Sequence, residues 1–307
     1  MDRSEFLLRG IDHATAHGIE IGPFYNPIAP KAAGWNTTVV DFTDQDGLLQ
    51  TATTHSNATI REMAGNIEAV DVVWRDVRLD EACLRKRPEG FDYLIASHAI
   101  EHFPDIITFF QEVSALARPD FILSLAVPDC RMTFDFFRPL STSGEALRAH
   151  REQRTMHTPE NMFEAWAYMI NLNGAGAWLP SGQGTLELTT PLADAYDKYA
   201  KYRRCITDGT QSYVDAHCWI FTPNSFLLMV LELHALGLID FVVTELEPGE
   251  GSEFWVQMRK SNDKAAAADL HRMRLALLTA ARRELAESVR FLKLPSHIDL
   301  GRSPSAP

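Results

Sequence analysis

Along the first 130 residues the pattern of apolar positions switches between two periods. Short β-branched or apolar runs, "GIEIG" (18–22), "NTTVVDF" (36–42), "AVDVVWRD" (69–76), the stretch 92–96 and "FILSLAVPD" (121–129), read as strands. Helical spacing separates them: residues 3–16 predict a short amphipathic helix, 59–67 a weak one, and "DIITFFQEVSALARPD" (105–120) a helix stopped at Arg118 and Pro119. Strands and helices alternating at this interval predict an α/β fold, a doubly wound and mostly parallel Rossmann-like sheet. After Asp129 the alternation gives way to aromatic, irregular sequence with paired charges, up to about Asp215. It resumes with a helix and strand in "TPNSFLLMVLELHALGLIDFVVTEL" (222–246) and a last strand in "SEFWVQMRK" (252–260).

That pattern divides the chain into a cofactor-binding part at 1–128, an inserted, mainly helical cap at 129–215 and a return of the first domain at 216–261. An alanine-rich C-terminal helix follows over 262–295, expected to serve as a dimer contact or a strap, and then a disordered tail at 296–307. An insertion after the fifth strand of a parallel sheet lies over the crevice where such folds bind ligands.

Composition narrows the function classes. A formal net charge of −12 argues against a nucleic-acid partner, whose phosphates need a basic surface. The longest apolar run is interrupted by Glu232 and His234, which argues against a membrane span. Four cysteines without a C-x-x-C pair, and a charged amino terminus unlike a signal peptide, favour a reducing cytoplasm.

The first loop, "GIEIGPFYNP", carries the chemistry. It lacks the second and third glycines with which a dinucleotide fingerprint approaches a pyrophosphate, and Glu20 places an anion where a phosphate would be repelled. An acid before Gly22 suits a cationic, phosphate-free ligand, and S-adenosylmethionine fits that description. Asp41 closes the second strand, where a carboxylate accepts from a ribose diol. Asp76 closes the third, placed to meet an adenine amino group.

With these acids, the segments "EIGPFYNP", "VVDF", "FDYLIASHAIEHFPD" and "FILSLAVPD" resemble the class I S-adenosylmethionine-dependent methyltransferases, in particular their type 11 branch. The likeness covers about residues 15–130 and, more loosely, 220–260, and it includes an H-x-x-E-H segment at His98, Glu101 and His102, followed by Pro104. It implies that Glu20, Gly22 and Pro23 line the methionine moiety, Asp41 the ribose, and Asp76 and Val77 the adenine, with Ser97 and His98 beside the cofactor. The chain departs from the family at Pro23 and Phe24, where further glycines are usual.

Methyl transfer from a sulfonium requires alignment of the acceptor and exclusion of water, and an oxygen acceptor also requires a base. Candidates for the base are His217, His157 and Asp129; Arg131, Asp135 and Trp178 are expected to bind the acceptor. That acceptor is expected to be a small polar molecule, a carbohydrate or a nucleotide-linked sugar, methylated at oxygen. The rival readings are a nucleotide-dependent oxidoreductase and a methyltransferase-like binding protein without turnover. The histidines of "HAIEH" have metal-ligand spacing, but no third ligand stands near them in sequence and no metal is expected.

Overall fold

In a computed structural model of the 307-residue chain, the residues described are 2–75, 77–179, 184–249 and 251–291. The strands of the main sheet are β1 (His17–Ile21), β2 (Asn36–Asp41), β3 (Val72–Val73), β4 (Phe91–Ser97) and β5 (Ala117–Pro128) in the first part of the chain. A second pair, β6 (Ile170–Leu172) and β7 (Leu186–Leu188), forms a small antiparallel sheet of its own, and β8 (Phe241–Pro248) and β9 (Glu253–Lys260) return to the main one. The main sheet runs β3-β2-β1-β4-β5-β9-β8, with β1 to β5 and β8 running in one direction and β9, inserted between β5 and β8, antiparallel to both. Strand order reverses between β1 and β4, so the loops leaving their carboxyl ends flank the crevice in which doubly wound sheets hold ligands.

The helices are α1 (Arg3–Leu7), α2 (Gln45–Thr54), α3 (Ala58–Glu62), α4 (Leu79–Lys86), α5 (Ile106–Leu116), α6 (Ser143–Arg151), α7 (Pro159–Ala167), α8 (Leu192–Thr207), α9 (Pro223–Ala235) and α10 (Ala267–Phe291). α5 starts where Asp105 accepts from the Ile107 and Thr108 amides, and it buries Ile106, Phe109, Phe110 and Val113 at helical spacing. Below the carboxyl edge, one face of the sheet packs Ile19, Val40, Leu94 and Leu125 into the principal core with α5 and α9. On the opposite face Phe6, Leu7, Tyr93, Ile95 and Trp255 form a smaller core under α1. Gly18 is required there, because a Cβ on it would stand 2.1 Å from the Tyr93 ring.

Several expectations change in detail. The helix expected over 3–16 stops at Leu7 and gives way to turns. The third strand contracts to two residues, as suits a sheet edge, although Asp71 and Trp74 extend its ladder with amides donated to the Val39 and Asp41 carbonyls. The inserted segment contributes α6 to α8 and the small sheet, and Ala146 and Ala149 of α6 join the principal core. α10 runs as one helix, packs against α9 and leaves Met273, Leu275 and Leu278 exposed. Among the described residues no helix is long and apolar enough to cross a membrane. The residues expected to form the tail lie outside those described.

Candidate active site

Glu20 ends a buried strand, and its side chain points into the smaller core beneath the first loop. Both oxygens are taken by that loop: Oε1 accepts from the Ile28 amide at 2.6 Å and Oε2 from the Ala29 amide at 3.0 Å. Burial pushes this carboxyl up to about 7 against the pull of those two amides. Glu20 therefore folds the loop back onto the sheet, and it does not present a free carboxylate to a ligand as the sequence led one to expect. Gly22, at φ +61°, makes the turn with open space where a side chain would project. Pro23 stays within the turn, its carbonyl accepting from the Asn26 amide at 3.0 Å.

Asp41 is different. Its carboxyl is buried, 6% exposed, at the carboxyl end of β2, and Oδ1 accepts from the amide of Phe42 at 2.7 Å. Burial raises it to about 6 although the Phe42 and Thr43 amides oppose the rise, and no cation contributes. Of the adenine-facing candidates, Val77 is partly exposed with its carbonyl accepting from the Trp74 indole, and Asp76 lies outside the described residues.

At the end of β4 the chain turns sharply through His98, at φ +49°. His98 Nε2 lies 2.6 Å from Glu253 Oε2, and Glu253 also accepts from Arg3 Nε and the Trp255 indole. Burial alone would raise the Glu253 carboxyl, but the His98 hydrogen bond and Arg3 outweigh it and hold it at about 2. Arg3 also donates to Ser97. Thus α1 and β9 tie down the crevice floor beside Ser97, a role for Arg3 and Glu253 that no motif signals.

Beyond His98, a 3₁₀ turn carries Glu101 and His102. The segment returning from the insertion docks on this turn: the Cys218 amide donates to the Glu101 carbonyl at 2.7 Å, and the Trp219 indole to the Phe103 carbonyl at 2.6 Å. That docking brings His217 to the turn, with its ring at right angles to that of His102 and the centroids 4.7 Å apart. His217 Nδ1 lies 2.6 Å from Asp135 Oδ2, while Arg138 Nη1 donates to Asp135 Oδ1 at 3.0 Å and to the His217 carbonyl at 2.8 Å. Burial works to raise the Asp135 carboxyl, but His217 and Arg138 overcome it and keep it below its ordinary value.

His102 Nδ1 stands 2.8 Å from Asp215 Oδ1, off the line of an ideal hydrogen bond, and Tyr213 Oη donates to the same oxygen at 3.1 Å. His157 lies at the far end of this chain of contacts, Nε2 3.3 Å from Tyr213 Oη, and burial pushes its pKa down to about 4. Glu101 sits in the middle, fully buried, and neither of its carboxylate oxygens receives a hydrogen bond. Glu101, His102 and His217 offer ligand atoms within 4.8 Å of one another. Of the two histidines of "HAIEH", His98 lies outside this group, which joins Glu101 and His102 to His217 from the return segment.

The structure gathers three of the predicted residues here, His217, His157 and Asp135, and adds Glu101, His102, Arg138, Tyr213 and Asp215. It does not gather the other three. Asp129 is locked by its neighbour Arg131, whose Nε donates at 2.8 Å, and Arg131 lies within electrostatic reach of Glu284 on α10. Both Asp129 oxygens are engaged by that one guanidinium rather than left open toward an acceptor. Trp178 packs near Phe136, ring centroids 6.2 Å apart, in the loop of the insertion.

No family model matches the chain, and no curated protein matches it. Among solved structures it is similar to the CcbJ methyltransferase from Streptomyces caelestis, at 10% identity over 84% of this chain and 94% of that one, with a TM-score of 0.40. It is similar to the glycopeptide N-methyltransferase MtfA complexed with sinefungin, at 12% identity over 85% and 95%, with a TM-score of 0.39. A putative zinc-dependent alcohol dehydrogenase from Rhodobacter sphaeroides scores alike, at 11% identity over 84% and 88%, with a TM-score of 0.40. At such scores these likenesses add nothing to the strand order seen in the chain itself, which is that of a doubly wound, Rossmann-like α/β sheet.

Proposed function

We propose that the chain is an S-adenosylmethionine-dependent methyltransferase acting on an oxygen of a small polar acceptor, a sugar or a similar metabolite. The observation that carries this reading is Asp41: a buried carboxylate at the edge of a parallel sheet, beside the open Gly22 turn, with only backbone amides for partners. Such a group is costly to desolvate, and a ribose diol donating to it offsets that cost. A diphosphate would find no glycine cradle at this turn. When bound, the cofactor supplies an electrophilic methyl group on a sulfonium sulfur and departs as a neutral thioether.

The chain's own residues then have three tasks. Glu20 pins the first loop, so that Gly22 turns close to the ligand. Arg3, Glu253 and His98 brace the floor at Ser97. Above it, Asp135 accepts from His217 Nδ1, fixing the tautomer in which Nε2 carries a lone pair, able to take the hydroxyl proton as the new carbon–oxygen bond forms. The tyrosines and tryptophans of the insertion provide flat apolar faces suited to a sugar ring.

The test is a thermal-shift comparison of S-adenosylhomocysteine with NAD. Stabilisation by the first and not the second is expected; stabilisation by NAD alone would overturn the assignment. Radiolabelled methyl incorporation into a panel of free and nucleotide-linked sugars then tests the acceptor class, and transfer to none of them while a nitrogen acceptor is labelled would refute the oxygen reading.

A further inference from the structure

Glu101 is the least explained side chain in the molecule. Its carboxylate is fully buried, yet neither oxygen receives a hydrogen bond, an arrangement that is costly unless an opposite charge stands beside it. Around it stand imidazoles. His102 Nε2 and His217 Nε2 each lie 3.7 Å from Glu101 Oε1, too far to donate a hydrogen bond. Their other nitrogens face carboxylates, His217 Nδ1 that of Asp135 at 2.6 Å and His102 Nδ1 that of Asp215 at 2.8 Å. With the protons on Nδ1, both Nε2 lone pairs converge on an oxygen that carries lone pairs of its own. Something positive belongs between them.

From this geometry we propose that Glu101, His102 and His217 bind a divalent first-row transition cation. Two imidazole nitrogens and one carboxylate oxygen are the donor set preferred by zinc and its neighbours, whereas magnesium and calcium seek oxygen alone. Bonds of about 2.0–2.2 Å in a tetrahedral site place donors about 3.3–3.5 Å apart, so the two 3.7 Å spacings need to close by a few tenths of an ångström, and the two imidazole nitrogens, within 4.8 Å of each other, by up to about 1.5 Å. Asp135 behind His217 is the orienting carboxylate that accompanies a metal-bound histidine, and Arg138 fixes Asp135 in turn, while Asp215 lies 2.8 Å from His102 Nδ1 off the line of a hydrogen bond. Three protein donors leave a coordination position open, and His102, about a quarter exposed, gives access from solvent. His98 Nδ1 also lies 3.7 Å from Glu101 Oε1, but the group of mutually close donor atoms does not include it.

Cation binding stands apart from the methyl-transfer reading. Only one consequence touches that reading: His217 Nε2 cannot hold a cation and accept the acceptor's proton at once, so the two roles belong to different states of the chain.

The experiment begins with full-length protein stripped by a chelator and titrated with zinc alone, with bound metal counted by elemental analysis. One zinc per chain is expected. His102→Ala, His217→Ala and Glu101→Gln should each weaken binding at least 10-fold to 100-fold, and Asp135→Asn about 10-fold, as for loss of an orienting partner. Should a variant fail to fold, cobalt added to the unmodified protein decides: intense visible bands of a four- or five-coordinate ion are expected. A cobalt spectrum no different from that of the hydrated ion, or zinc retained equally by the folded variants, would overturn the proposal and leave protonated imidazoles as the balance for Glu101. Zinc binding without any shift by S-adenosylhomocysteine would refute the methyl-transfer reading and leave the cation site standing.

Discussion

Asp41 and Glu20 are both acids at strand ends in the sequence, and burial separates their roles. Asp41 keeps a carboxylate free of cations, so Asp41→Ala should weaken S-adenosylhomocysteine binding by about 1–3 kcal/mol, read by calorimetry; unchanged affinity would remove it from the site. The same residue sets a pH dependence. In the free protein its carboxyl titrates at about 6, and hydroxyls donating to the ionised form draw it lower in the complex. Affinity should therefore hold above pH 6 and fall as the pH drops through that value, because the protein must first lose a proton.

Glu20 predicts the opposite kind of experiment, one on stability. Its folded value of about 7 exceeds the ordinary 4.5, so between those values the folded chain holds a proton that the unfolded chain has released. Its contribution is thus present below pH 4.5 and is lost as the pH rises toward 7, by up to about 3 kcal/mol. In urea titrations the gap between the wild type and Glu20→Gln should move in the variant's favour over that interval. The positions of both acids could be read from the sequence. Their difference could not, since it depends on the Ile28 and Ala29 amides reaching back from a loop without regular periodicity.

Elements with strong local signals were legible. β1, β2, β4 and β5 lie within a few residues of their expected bounds because apolar runs flanked by turns leave few other solutions. α9 is a further case, where Thr222 caps the helix, its hydroxyl accepting from the Ser225 amide while Ser225 Oγ accepts from the Thr222 amide, with Pro223 at the first turn. Thr222 is fully buried, so Thr222→Ala should cost about 1–2 kcal/mol in chemical denaturation; a loss below about 0.3 kcal/mol would show that the cap contributes little. Weakly patterned elements were less legible. The helix expected over 3–16 breaks off because Leu8, Ile11 and Ala16 follow a turn path against the second core, and the short β3 depends on edge pairing that a sequence pattern does not encode. In the candidate site, "HAIEH" and the "DAHCW" return were each visible in the sequence. Their meeting was hidden, since it is made by the backbone of Cys218 docking on that of Glu101.

For the molecule as a whole, the pattern change at Asp129 suggests a cap laid over a finished sheet, whereas packing joins the two. Ala146 and Ala149 from the insertion are buried in the same core as Phe109 and Phe110, and Trp219 and Phe221 of the return segment lie there too. Asp129 forms a bridge with Phe221, so the start and return of the insertion meet beside β5. Removing the insertion would strip one wall from the principal core and also take away Asp135 and Arg138, which hold His217 in place. A sheet that depends on its insertion in this way should unfold with it. Far-ultraviolet circular dichroism, which follows all the backbone, and tryptophan fluorescence, which follows Trp166 and Trp178 of the insertion together with the sheet-side indoles, should give coincident urea midpoints. An earlier fluorescence transition with the sheet signal intact would show instead that the insertion is an independent unit, and the site would then be assembled by docking rather than by folding.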